Sequence, residues 1–225
     1  MYWVDSYADM YQKLNGFKII ILDKDNKKIE AYLSMKQSTR STYDIAMRDA
    51  TIDGLVTMED ISLLKPSQLY YKEVDPDSIF IIQAVNKLEQ QPKSKNINAI
   101  KQNSHVTVLR KQYDKTQKKE AYLPIYEDVI SFVSLQNKDE KNFTPGTEDN
   151  TVLNIQIPRF DFVNDITFDV KVQDRIIIQD FEKTRKENVK IESVDAYGVP
   201  GVLRIQGVFD TRTGKNVKDW KRSFN

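Results

Sequence analysis

Apolar and polar residues alternate along most of this chain with the two-residue period of a strand. The run FKIIIL (17–22), a polar turn DKDNKK and the run IEAYLSM (29–35) predict a β-hairpin, with Asp and Asn supplying the turn. TIDGLVT, SQLYY, SIFIIQAV, NINAI and HVTVLRKQY follow as short segments of the same kind, separated by polar turns. Residues 121–135 allow a helix after Pro124, but IYEDVISFVSL is rich in β-branched and aromatic residues, which favours a strand. TVLNIQI (151–157), ITFDVKV (166–172), RIIIQDF (175–181), NVKIESV (188–194) and VLRIQGVFD (202–210) complete the series. Helical spacing occurs at the start, where Trp3, Tyr7, Met10, Tyr11 and Leu14 recur on one stripe, with Asp5 or Ser6 to cap it and Gly16 to end it. Residues 41–50 read equally well either way. Many short strands at close spacing predict a mainly β fold of two small barrel or sandwich modules, preceded by a short N-terminal helix.

The two modules come from a weak internal repeat. SQLYY, SIFIIQAVN and KNINAIKQN fill 67–103, and DRIII, NVKIESVD and VLRIQGVFD fill 174–210. Ile82 then aligns with Ile191, Val85 with Val194, and Ile100 with Ile205. The expected division is 1–103, a β module with the leading helix, and 104–225, a second β-barrel.

Composition removes most chemistry. The 225 residues contain no Cys and one His, which excludes disulfides, thiolate nucleophiles and two-His metal centres. Seven Gly and seven Pro are few, and no Gly-rich phosphate loop is present. Lys+Arg is 34 and Asp+Glu 33, a net charge of +1, and both halves are nearly balanced. A generic nucleic-acid coat or a membrane-surface binder would need excess positive charge. The first residues lack the basic start and apolar core of a signal peptide, and the longest apolar runs are far short of a membrane span.

The remaining candidates are weak as chemistry. Ser104 and His105 are neighbours on one strand, so their side chains face opposite ways and cannot pair. Asp23, Asp25 and Asn26 resemble a calcium loop, but Lys28 and Ser34 stand where its Gly and Glu belong. Asp75-Pro76-Asp77 and Glu148-Asp149-Asn150 read as turns. We therefore expect no enzyme, no catalytic residue, no cofactor and no metal. Two basic clusters are left as partner- or DNA-contacting loops. Arg110, Lys111, Lys115, Lys118 and Lys119 lie in a hairpin, while Lys183, Arg185, Lys186 and Lys190 lie between later strands. Few aromatics accompany them, which argues against a platform for stacked bases.

The stretch LLKPSQLYY to KKEAYLP resembles small β-barrel virion proteins of tailed phages of Gram-positive hosts, the head–tail adaptor and head-closure (stopper, connector) proteins. The second module carries the pattern as Asp174-Arg175-Ile176-Ile177, Val189–Asp195 and Leu203-Arg204-Ile205. His105–Leu135 resembles the leading strand pair of such domains and Thr151–Pro158 the strand entering the barrel. Gln173 stands where the family pattern has Gly, and single-barrel members are shorter than this chain.

The resemblance implies a structural virion protein, assembled in the host cytoplasm, that joins the DNA-filled head (portal) to the tail as a ring around the DNA channel. It implies a homo-oligomeric ring, a dodecamer or hexamer. Its partners would be phage portal or adaptor proteins and tail proteins, with non-specific double-stranded DNA in the lumen and no membrane. The aromatic stripe Trp3, Tyr7 and Tyr11 either docks on the core or serves as an N-terminal docking arm, and the basic C-terminal segment (Lys215, Lys218, Lys221, Arg222) offers another docking surface. The alternatives are a nucleic-acid-binding barrel of OB type and another virion ring, a collar or baseplate subunit.

Overall fold

The computed structural model describes residues 16–24, 27–36, 50–87, 93–114, 118–137, 151–180 and 186–210. The predicted N-terminal helix and residues 41–49 lie outside them. Among the described residues the chain is mainly β, with two closed six-stranded barrels. The first barrel uses β1 (Phe17–Leu22), β2 (Lys28–Lys36), β3 (Thr51–Thr57), β4 (Leu69–Lys72), β5 (Asp75–Lys87) and β6 (Ser94–Lys101), in the order β1-β2-β3-β6-β5-β4. The second uses β7 (Ser104–Asp114), β8 (Lys119–Asn137), β9 (Thr151–Pro158), β12 (Arg175–Asp180), β13 (Lys186–Asp195) and β14 (Val202–Phe209), in the order β12-β13-β14-β9-β8-β7. A two-stranded ribbon, β10 (Phe160–Asp161) with β11 (Ile166–Thr167), separates β9 from β12.

Numbered within each barrel, both orders are 1-2-3-6-5-4, so the same topology is built twice. The register makes the equivalence residue by residue. In β5 an extra residue, Gln83, interrupts the pairing with β6 between Ile82 and Ala84. In β13 the extra residue is Glu192, between Ile191 and Ser193. A β-bulge bends a strand at a chosen point, and two barrels bent at the same point share a design. The pairs Val85–Ile97 and Val194–Ile205 place Ile205 opposite Ile97, not Ile100, whose counterpart is Val208. The alignment of Ile82 with Ile191 and Val85 with Val194 stands, while that of the last strand moves by three residues. Both Ile97 and Ile100 are buried, so apolar matching alone could not choose the register.

A second shared device precedes the fourth strand of each barrel. Gln68 is buried, and its Oε1 accepts from the Lys65 backbone N–H at 2.8 Å. Asp174 is buried, and its Oδ2 accepts from the Lys171 backbone N–H at 2.8 Å. In both cases a buried side chain satisfies a donor three residues earlier and closes the loop. Inside the first barrel Ile19, Ile21, Ala31, Leu33, Val56, Tyr70, Ile82 and Ala99 form the core, with Tyr70 stacked on Phe80 at 5.0 Å. Inside the second, Val106, Val108, Ile176, Val189, Ile191 and Ile205 are fully buried by the same alternation.

One predicted strand is shorter than expected. Of ITFDVKV only Ile166–Thr167 pairs, and the chain from Phe168 to Asp174 is irregular. Phe168 and Val170 are buried and Asp169 exposed, which reproduces a strand's alternation. Here the backbone is held by side chains instead: Asp169 N–H donates to the Tyr126 hydroxyl at 3.1 Å, and Lys171 N–H to Asp174. By contact, the described residues up to Gln102 form one compact unit with Gln156–Phe168 and Ala196–Leu203. The described residues of Asn103–Ile155 and Asp169–Asp195, with Arg204–Asp210, form the other.

Candidate docking surfaces

The hairpin β7–β8 carries the first basic cluster. Its strands pair from Ser104–Ser131 to Asp114–Lys119, and Lys118 turns the chain with φ 51°, in the left-handed region. Arg110 leaves the strand toward Asp174. Its Nε donates to Asp174 Oδ1 at 2.9 Å and its Nη2 to Oδ2 at 2.8 Å, a bidentate pair on a buried carboxylate. Nη2 also donates to the Asp169 carbonyl at 2.6 Å. Its hydrogen bonds to Asp174 hold the Arg110 guanidinium above its ordinary value. Arg110 is thus the clasp of the loop before β12, with its donors turned inward.

Lys111 is exposed and forms an ion pair with Glu120 across the hairpin, which raises its pKa. Lys118 and Lys119 are exposed, and Tyr113 beside them is 62% exposed. Lys186 opens β13 and is exposed, opposite Gln179. Lys115, Lys183 and Arg185 lie outside the described residues, as do Trp3, Tyr7, Tyr11 and the C-terminal Lys215, Lys218, Lys221 and Arg222.

His105 and Ser104 part as strand geometry requires. His105 Nδ1 is 3.0 Å from Asp128 Oδ1, while the Ser104 carbonyl accepts from Ser131 Oγ at 2.9 Å. Asp128 sits in the irregular stretch of β8 with φ 54°. Asp23 closes a turn, its N–H donating to the Lys27 carbonyl at 3.0 Å. Among the described residues no group of three His, Cys, Asp or Glu is placed to hold a metal ion. No helix among them is long and apolar enough to cross a membrane.

Sequence reasoning passed over two surfaces. The turn between β4 and β5, Glu73 and Val74, and the first residues of β5, Asp75, Pro76 and Asp77, are all exposed, with Val74 at 81%. Asp and Pro there looked like turn chemistry alone, and only Val74, an apolar residue inside an acidic turn, signals more. The second is Tyr197, 90% exposed in the loop Ala196–Gly201 of the first unit, a loop seated by Gly201 N–H donating to the Gln83 carbonyl at 2.7 Å.

No family model matches the chain, and no curated protein matches it. Among solved structures it is paired with the K. pneumonia MrkH–c-di-GMP complex at 10% identity, covering 98% of this chain and 89% of that one. The TM-score of 0.14 is too low for that pairing to describe a shared fold.

Proposed function

We propose that this chain is a non-enzymatic virion protein, a ring subunit joining the DNA-filled phage head (portal) to the tail around the DNA channel. The observation that carries the reading is the repetition of one closed six-stranded barrel, with matching bulges and loop clasps, whose distinctive side chains point outward on turns and strand faces. A subunit of this kind works by presenting rigid surfaces to neighbours, and it needs no reactive site. Portal or adaptor and tail proteins are the partners of this role, and duplex DNA passes without being gripped, in keeping with a net charge of +1. The family resemblance of 174–177, 189–195 and 203–205 supports the same role.

Electron microscopy of particles from a phage lacking the gene tests it. DNA-filled heads without tails are expected, and intact tailed particles would overturn the reading. Tailed particles with a defective collar or baseplate would assign the chain to one of those rings. Tight binding of single-stranded DNA in a gel shift at moderate salt would favour an OB-type nucleic-acid barrel instead. Reversing Lys115, Lys118 and Lys119 together is expected to leave the monomer folded but stop assembly or DNA retention.

A further inference from the structure

The equivalence of the two barrels exposes a face that one of them covers and the other leaves open. In the first unit Ile81 and Ile100, paired across β5 and β6, are fully buried although they point away from the barrel core. Ser67, Gln83 and Asn98 beside them are buried too. The Gly201 turn seats here: its N–H donates to the Gln83 carbonyl at 2.7 Å and its carbonyl accepts from Ser67 Oγ at 2.8 Å. The approach is so close that a Cβ on Gly201 would stand 2.2 Å from the Ile82 carbonyl oxygen.

In the second barrel the bulge and the β13–β14 register put Lys190, Val208, Glu192 and Gln206 at the places of Ile81, Ile100, Gln83 and Asn98. The buried apolar pair has become a lysine and a half-buried valine, and Lys190, Glu192 and Gln206 are exposed. Arg204, opposite Asp195, and Lys186, opposite Gln179, extend the same outer face. Lys186, Lys190 and Arg204 are exposed and carry no ion pair among the described residues.

The matching feature is the β4–β5 turn. Asp75 and Asp77 carry no ion pair among the described residues, and Val74 between Glu73 and Asp75 projects at 81% exposure. An acidic turn with an apolar tip fits the Lys190 and Arg204 end of this mixed-charge face, with an apolar floor at Val208. We propose that the Glu73–Asp77 turn of one copy docks on the outer face of β13–β14 of a second copy, with Asp75 and Asp77 toward Lys190 and Arg204 and Val74 toward Val208. The contact is head-to-tail, so it closes a ring or extends a filament. Glu192 and Asp195 on the same face repel a polyanion, whereas the turn carries its own cations, Lys18 paired with Glu73 at 2.9 Å and Lys72 beside it, which favours a second copy over a nucleic acid.

This names the self-association surface of a ring subunit, yet it stands or falls apart from the virion setting. Mass photometry and sedimentation equilibrium on the full chain test it, with circular dichroism to verify folding. The wild type is expected to self-associate, and the constant to weaken at least about tenfold in Asp75→Lys/Asp77→Lys and in Lys190→Glu/Arg204→Glu, since like charges face each other in each. Mixing the two variants restores association, because each supplies the face that complements the other. A wild type that stays monomeric at about 100 μM, well above the dissociation constants of specific assemblies, overturns the proposal. So do reversals that leave the mass distribution unchanged, or a mixture no better than its parts. Loss of binding to a duplex oligonucleotide in Lys190→Glu/Arg204→Glu with self-association intact would assign the face to phosphates. An oligomer with this interface from a phage that makes normal tails without it would keep the inference and remove the joining role.

Discussion

Removing the Asp174 carboxylate should unfasten the second barrel while leaving the first intact. Asp174 accepts from Arg110 Nε at 2.9 Å, from Arg110 Nη2 at 2.8 Å and from the Lys171 backbone N–H at 2.8 Å. Breaking a buried ion pair by deleting one partner costs about 3–5 kcal/mol, chiefly because the other charge is left unpaired. In Asp174→Ala, Arg110 keeps the Asp169 carbonyl at 2.6 Å, and its side chain is 27% exposed. The lower end, about 3 kcal/mol, is therefore expected. Arg110→Met should cost more, about 4 kcal/mol, because the carboxylate it abandons is 2% exposed. The double variant Arg110→Met/Asp174→Leu should be less damaged than the sum by at least about 2 kcal/mol. In a chain of this size a loss of about 3 kcal/mol lowers Tm by about 6–12 °C. Hydrogen exchange read by mass spectrometry localises the effect: faster exchange in 104–114 and 175–180, with 17–22 and 69–72 unchanged. Additive single variants, or an Asp174→Ala cost under about 0.5 kcal/mol, would refute the clasp, since that is the range of an ordinary surface site.

Two other positions make quantitative predictions. Tyr70 is buried in the first barrel and its hydroxyl has no hydrogen-bond partner among the described residues, so Tyr70→Phe should stabilise by about 1 kcal/mol at pH 7 in urea titration. Burial also pushes the Tyr70 phenol well above its ordinary value of 10.0. Above pH 10 the unfolded chain releases that proton and the folded one keeps it, so stability present below pH 10 falls by up to about 1.4 kcal/mol per pH unit. Tyr70→Phe should lack that component, and an unchanged slope between pH 10 and 11.5 would count against it. At Asp128, φ 54° strains any residue with a Cβ, so Asp128→Ala should be about 1 kcal/mol less stable than Asp128→Gly. Equal stabilities would place the backbone elsewhere.

Much of the fold was legible because strands that bury one face announce themselves by alternation. The hairpin Phe17–Met35, the long strand through Tyr126–Leu135 and the three strands of each repeat all read correctly from that period. Alternation reports burial, however, and not pairing. Phe168, Asp169 and Val170 alternate in an irregular segment whose backbone is satisfied by Tyr126 and Asp174 side chains, which no local pattern reveals. The register of the last repeat strand differs from the apolar alignment for a related reason. Ile97 and Ile100 are both buried, one toward the barrel core and one away from it, so three residues of slip leave the apolar pattern intact. Basic residues were harder still. Arg110 looked like its lysine neighbours, and what separates it is Asp174, 64 positions away in sequence.

Closure of both barrels has a consequence for how the protein can associate. An open sheet ends in a row of unpaired backbone donors and acceptors, a template on which any extended segment can grow. A strand whose two neighbours are already bonded offers no such template, and each of the twelve barrel strands here has both. Packed at high local concentration, the barrels of neighbouring copies meet through side chains and turns, where charge and shape discriminate. Assembly can then be specific without the hazard of runaway cross-β growth.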